Sequence, residues 1–156
     1  MKKQQSGFTM IELIMVIVIL GILAAFALPR FADFGKDARV ASINGALGAV
    51  KSAAAIAHAK QLADGTTSGT AVTLEGATIN MVNGYPQATV DTVGATTGGI
   101  MAAAQLSAEF EGNGGGTAAE VLTIRLKNKT TCSFTYQVPA TAGTAPVFGT
   151  ISPNDC

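Results

Sequence analysis

Tryptophan is absent, and His58 is the single histidine. Charged residues make up 13% of the chain, and its ten basic side chains are balanced by ten acidic ones. These shortages exclude several classes of function. A zero net charge supplies no electrostatic footprint for nucleic acid. His58 lies in an alanine-rich stretch with no second histidine or cysteine nearby, so it lacks co-ligands for a metal. No run of acidic residues has the spacing of a calcium loop. No Ser/His/Asp set or paired-carboxylate motif supports catalysis. Neither enzyme activity, cofactor, metal nor nucleic-acid partner is expected. Hydrophobic residues reach 48%, but Ala and Gly supply much of the small-residue bulk.

What the chain does have is a long apolar run near its start. From Phe8 to Leu28, Glu12 is the one charged side chain. A helix of that length reaches about 30 Å, the thickness of a bilayer core. Lys2 and Lys3 precede it and hold residues 1–6 on the cytoplasmic side. Three readings fit. A cleaved secretory signal has a mimic of its cleavage site at Ala25-Phe26-Ala27, but its apolar stretch is normally about 7–15 residues. An uncleaved anchor explains the length and leaves Glu12 without a purpose. A cut between Gly7 and Phe8 explains Glu12. It places a new α-amine, of ordinary pKa about 7.7–8.0, one helical turn from a carboxylate that needs a partner at bilayer depth. The pair forms within one chain or between helices packed side by side.

The stretch KKQQSGFTMIELIMVIVILGILAAFALPRF resembles the N-terminus of type IV pilins. It has a short basic leader ending in Gly7, then Phe8, then Glu12, with Gly21 and Pro29 further along. The resemblance implies cleavage after Gly7 by a membrane prepilin peptidase and N-methylation of Phe8. It implies that Glu12 neutralises the amine of an adjacent subunit during assembly. It also implies that the helix between Gly21 and Pro29 loosens when subunits enter the filament. The resulting organisation is a leader over residues 1–7, a membrane and assembly half-helix over 8–29, and a head over 30–156.

Beyond Pro29 the apolar residues Val40, Ile43, Leu47, Val50, Ala54 and Ala57 step by three and four, a seam along one helix face. Asp64-Gly65 supplies a stop. One helix is therefore expected from about Phe8 to Ala63, bent at Pro29 but unbroken. From Thr66 onward the periodicity becomes two. VLTIRLK points Leu122, Ile124 and Leu126 to one face. SFTYQV does so with Phe134, Tyr136 and Val138, and Asn128-Lys129 forms the turn between them. PVFGTIS is a third strand. AVTLEGATINMVNGYP reads as a hairpin or irregular loop with a turn at Asn83-Gly84, GGIMAAAQLS as a short helix from near Gly99, and EGNGGG as a flexible loop. The fold expected is α+β: a long N-terminal helix, membrane-spanning in its first half, packed on an antiparallel sheet.

Cys132 and Cys156 form an even count behind an export-type N-terminus, which reads as a disulfide in an oxidising compartment. In type IV pilins a disulfide-bounded region of this position influences adhesion and packing. LEGATINMVNGYPQA is similar to a stretch of the mannose-sensitive haemagglutinin pilins, used for surface attachment. The implied function is a structural subunit of an extracellular pilus, drawn from an inner-membrane pool. Its partners are identical subunits, the prepilin peptidase, the inner-membrane assembly machinery and a surface glycan. Alternatives are a type II secretion pseudopilin or a minor pilin. Glycan contact is expected from exposed loops, with Thr96, Thr97 and Thr144 as representatives.

Overall fold

The computed structural model describes residues 8–91, 95–117 and 119–156. Helix α1 runs over Met10–Ala63. It is followed by β1 (Val72–Leu74), β2 (Ala77–Ile79), β3 (Met81–Val82), β4 (Tyr85–Pro86), β5 (Thr97–Gly98), α2 (Ile100–Ala103), β6 (Phe110–Gly114), β7 (Val121–Leu126), β8 (Lys129–Gln137), β9 (Val147–Phe148) and a final 3-10 turn at Pro153–Asp155. The chain divides into two compact units, residues 1–38 and Arg39 onward.

Helix α1 continues through position 29 without interruption, as expected for a proline that removes one hydrogen bond from a ladder otherwise intact. It closes at Gly65, whose φ of +62° is the left-handed cap conformation. The Gly65 N–H donates to the Leu62 carbonyl and the Thr66 N–H to the Gln61 carbonyl, the paired bonds of a Schellman ending. In the first unit, Met10–Ala27 has a mean hydropathy of 2.8, and none of it is buried. By length and composition it suits a bilayer.

In the second unit α1 is a core helix. Phe34–Ala63, most of which lies in this unit, is also long and apolar, with a mean hydropathy of 1.3, but from Val40 onward the helix has a covered face. Ile43, Ala46, Val50, Ala53 and Ala54 join one apolar cluster with Leu122, Ile124 and Leu126 of β7, Phe134 and Tyr136 of β8, and Val138. Ala57 belongs to a smaller cluster with Val72, Ile79 and Met81. The expected seam is thus present, with Val40 and Leu47 only partly covered and Ala46 and Ala53 added. Each fully buried large aliphatic or aromatic side chain here is worth about 1.5–3 kcal/mol.

The sheet under the helix is antiparallel and has the order β6-β7-β8-β9. Its turn is Lys127–Asn128, one residue earlier than the sequence suggests, because Leu126 pairs with Lys129 after a register shift at Arg125/Leu126. The larger departure is β6. The segment expected as a flexible loop pairs with β7 from Phe110 to Gly114. Phe110 is buried. A Cβ on Gly112 would lie 2.8 Å from Met101 Sδ, so that glycine serves close packing and not mobility. The third expected strand is short, limited to Val147–Phe148. Between helix and main sheet the chain builds two hairpins. β1 pairs with β2 and β3 with β4, while β5 adds parallel to β2.

Candidate functional site

The first candidate site is the beginning of α1. Thr9 precedes the first helical residue, and its backbone N–H and hydroxyl both donate to Glu12 Oε2, at 2.9 and 2.8 Å. The Glu12 N–H donates in return to Thr9 Oγ1 at 3.3 Å. This reciprocal pair is a capping box. It fixes the carboxylate beside the helix start, where the dipole also favours negative charge. Thr9 is a capping partner of Glu12 that reading the apolar run alone misses, although the Thr-x-x-Glu spacing is its signal. Phe8 is 89% exposed, and Gly7 lies outside the described residues. Gly21 sits within α1, and a Cβ there would meet nothing within 4 Å.

The second candidate is the corner closed by Cys132 and Cys156. The two are joined as a disulfide with Cα atoms 4.4 Å apart, and both are buried in the main cluster. Arg39 Nε, on α1, donates to the main-chain oxygen of Cys156 at 2.8 Å. The end of the described chain is thereby held to the middle strand by a covalent bond and to the helix by a charged hydrogen bond.

The third is the small hairpin of β3 and β4, which the helix grips through His58. Its Nδ1 lies 2.7 Å from the Gly84 carbonyl, a contact that places the proton on that nitrogen. The imidazole stacks on Tyr85 with ring centroids 4.4 Å apart. Asn83 Nδ2 donates to Pro139 O at 2.9 Å from the other side. Tyr136, beneath, donates its hydroxyl to Pro86 O at 2.8 Å. Burial, with a smaller contribution from nearby Tyr85, pushes the Tyr136 phenol well above its ordinary pKa. His58 is therefore a clasp between helix and hairpin. Among the described residues no group of three or more His, Cys, Asp or Glu is placed to hold a metal.

A family model described as a prokaryotic N-terminal methylation motif matches residues 2–28, the segment that carries the capped Glu12. The fimbrial protein EcpC of Eikenella corrodens is 34% identical over 108 residues, covering 63% of this chain and 71% of that protein. The chain belongs to the type IV pilin family. This pilin is also 54% identical over 52 residues to the type IV narrow pilus major component PilA5 of Thermus thermophilus, covering 33% of the pilin and 45% of the relative. The type IV major alpha-pilin of Moraxella bovis is 49% identical over 49 residues, 31% of either protein. The pilin thus spans less than half the length of the Thermus thermophilus and Moraxella bovis relatives. No solved structure matches it.

Proposed function

We propose that this pilin is the structural subunit of an extracellular type IV pilus, drawn from an inner-membrane pool by side-by-side packing of its N-terminal helices. The observation that carries the reading is the contrast along α1. Its first 18 residues are apolar but for Glu12 and none of them is buried, whereas the head beyond has its own core. An uncovered apolar surface of that extent must be solvated by lipid or by other copies. In this reading residues 1–7 are a leader removed after Gly7, Phe8 becomes an N-methylated terminus, and 8–29 is the assembly segment ahead of the head at 30–156. Glu12 accepts the Phe8 amine of a neighbour, and the Gly21 to Pro29 stretch loosens on entry into the filament. The prepilin peptidase and inner-membrane assembly machinery are the partners this requires. The Cys132–Cys156 bond supports the pilin reading over a pseudopilin.

Surface attachment is part of the proposal. The segment similar to haemagglutinin pilins forms the turn of β1–β2 and the β3–β4 hairpin, and Thr96, Thr97 and Thr144 are exposed around the head. Thr97 belongs to β5 and not to a loop. The deciding experiment is Glu12→Ala in cells, with precursor processing followed by intact mass and filaments by electron microscopy. Processed subunit without filaments is the expected outcome. Normal piliation would leave Glu12 as a cap alone, and an unprocessed or differently cut chain would remove the leader assignment.

A further inference from the structure

The chain contains the dipeptide Asn-Gly three times, at Asn44-Gly45, Asn83-Gly84 and Asn113-Gly114. Asn-Gly is the sequence most prone to spontaneous loss of the side-chain amide. The following residue has no Cβ to obstruct attack by its backbone nitrogen on the asparagine Cγ. The reaction needs two things: a free backbone N–H on the glycine and an amide side chain free to rotate toward it.

Two of the three sites lack both. Asn44 is inside α1, where each backbone N–H is held by the carbonyl four residues back, and its Nδ2 donates to Val40 O at 2.8 Å. Asn83 Nδ2 donates to Pro139 O, and the Gly84 N–H donates to Ser68 O at 2.8 Å. Asn113 is different. Its side chain is exposed, and no partner for it is present among the described residues. The state of the Gly114 nitrogen follows from the ladder. Lys127 N–H donates to Glu109 O, so Glu109 and Lys127 are a hydrogen-bonded pair. Such pairs alternate along an antiparallel ladder. Glu111–Arg125 and Asn113–Thr123 are then the bonded pairs, and Gly114, opposite Leu122, turns its N–H away from β7. β6 is the edge strand of its sheet; beyond it a single bridge joins Gly116 to Ala88, with the Gly116 N–H donating to Ala88 O, and no carbonyl among the described residues takes up the Gly114 N–H. Gly114 at φ +75° and Gly115 at φ +83° leave the regular strand conformation at this point.

We propose that Asn113 is a spontaneous modification site, the one Asn-Gly of the three that converts in the folded protein. The Gly114 nitrogen bonds to Asn113 Cγ, and the side-chain nitrogen leaves as ammonia, carrying the proton that Gly114 loses. A cyclic imide remains. Water then opens it, either at the new bond to give an aspartate or at the original backbone bond to give an isoaspartate. The first product adds a negative charge on the same strand face as Glu111. The second adds a methylene to the main chain and disturbs the register of β6 against β7. No enzyme or co-reactant beyond water is required.

The test is to age the full chain in detergent micelles at neutral and mildly alkaline pH, then follow the three Asn-Gly peptides by mass spectrometry, with an isoaspartate-specific assay. A parallel sample is aged in urea. Conversion at Asn113 is expected to run at least about tenfold faster than at Asn44 or Asn83 in the folded chain, a barrier difference of about 1.4 kcal/mol. In urea the three rates should converge. Asn113→Gln should abolish the charge change while leaving the unfolding midpoint in place. Equal native rates at the three sites, or no conversion at Asn113 under conditions where the urea-treated chain converts, would overturn the assignment.

Discussion

Glu12 has two acceptor oxygens, and Thr9 occupies only one of them. A carboxylate held this way is fixed in position with its other oxygen still available to an incoming amine. Thr9→Ala should therefore fray the first turn of α1, read as faster amide exchange at residues 10–13 in micelles, and Thr9→Ser should restore it. Unchanged exchange in the alanine variant would show that the box contributes nothing to the helix start. Tyr136 offers a second single-residue test. Its phenol is held protonated by burial, above the ordinary value, which is about 10 in an unfolded chain. Below that pH both states keep the proton. Above it the unfolded chain ionises while the folded one does not, so stability falls as pH rises past about 10. Tyr136→Phe should flatten this alkaline loss in urea titrations, at the cost of the bond to Pro86.

At the scale of elements, the start of α2 is sensitive to a single methyl group. Gly99 precedes it, and a Cβ there would stand 2.1 Å from Gln87 O and 2.5 Å from Thr89 Oγ1. Asp91 Oδ2 meanwhile accepts from the Gly99 and Ala102 N–H groups at 2.7 and 3.1 Å. Gly99→Ala is expected to destabilise the head by about 1–3 kcal/mol, measured as a lower urea midpoint with unchanged slope. The elements differ in how far their sequences announce them. Helix α1 and strands β7 and β8 are legible because one periodicity persists over many residues, and their apolar positions are the ones buried. The turn of β3–β4 is legible because Asn83-Gly84 suits positive φ at both positions. Strand β6 is not, because in EGNGGG glycine permits a loop and close packing equally, and only Met101 across the gap decides between them. Likewise, no local pattern in Thr97–Gly98 reveals that it pairs in parallel with β2. The Thr9–Glu12 box was readable from spacing. The grip of Arg39 on Cys156 and of His58 on Gly84 joins residues 117 and 26 positions apart, beyond the reach of any local signal.

At the scale of the whole molecule, both apolar clusters draw only on residues from Val40 onward. A fragment starting near residue 30 should therefore unfold in urea at the same midpoint as the full chain in micelles. A markedly lower midpoint for the fragment would mean that the first unit stabilises the head. The disulfide closes a loop with a sequence separation of 24, worth about 3.5 kcal/mol on the chain-entropy model, and the fragment and the full chain share it. The inner face of α1 has one further consequence. Four of its buried positions, Ala46, Ala53, Ala54 and Ala57, carry a single methyl group each. The bulk of the core comes instead from the sheet, from Leu122, Ile124, Phe134 and Tyr136. A nearly smooth rod imposes few shape requirements on whatever covers it. In the proposed filament the other end of the helix must match its neighbours, and this smooth face lets side chains of the sheet and loops change without requiring a change in the helix. New surfaces can then be tried on an old shaft without redesigning the joint between them.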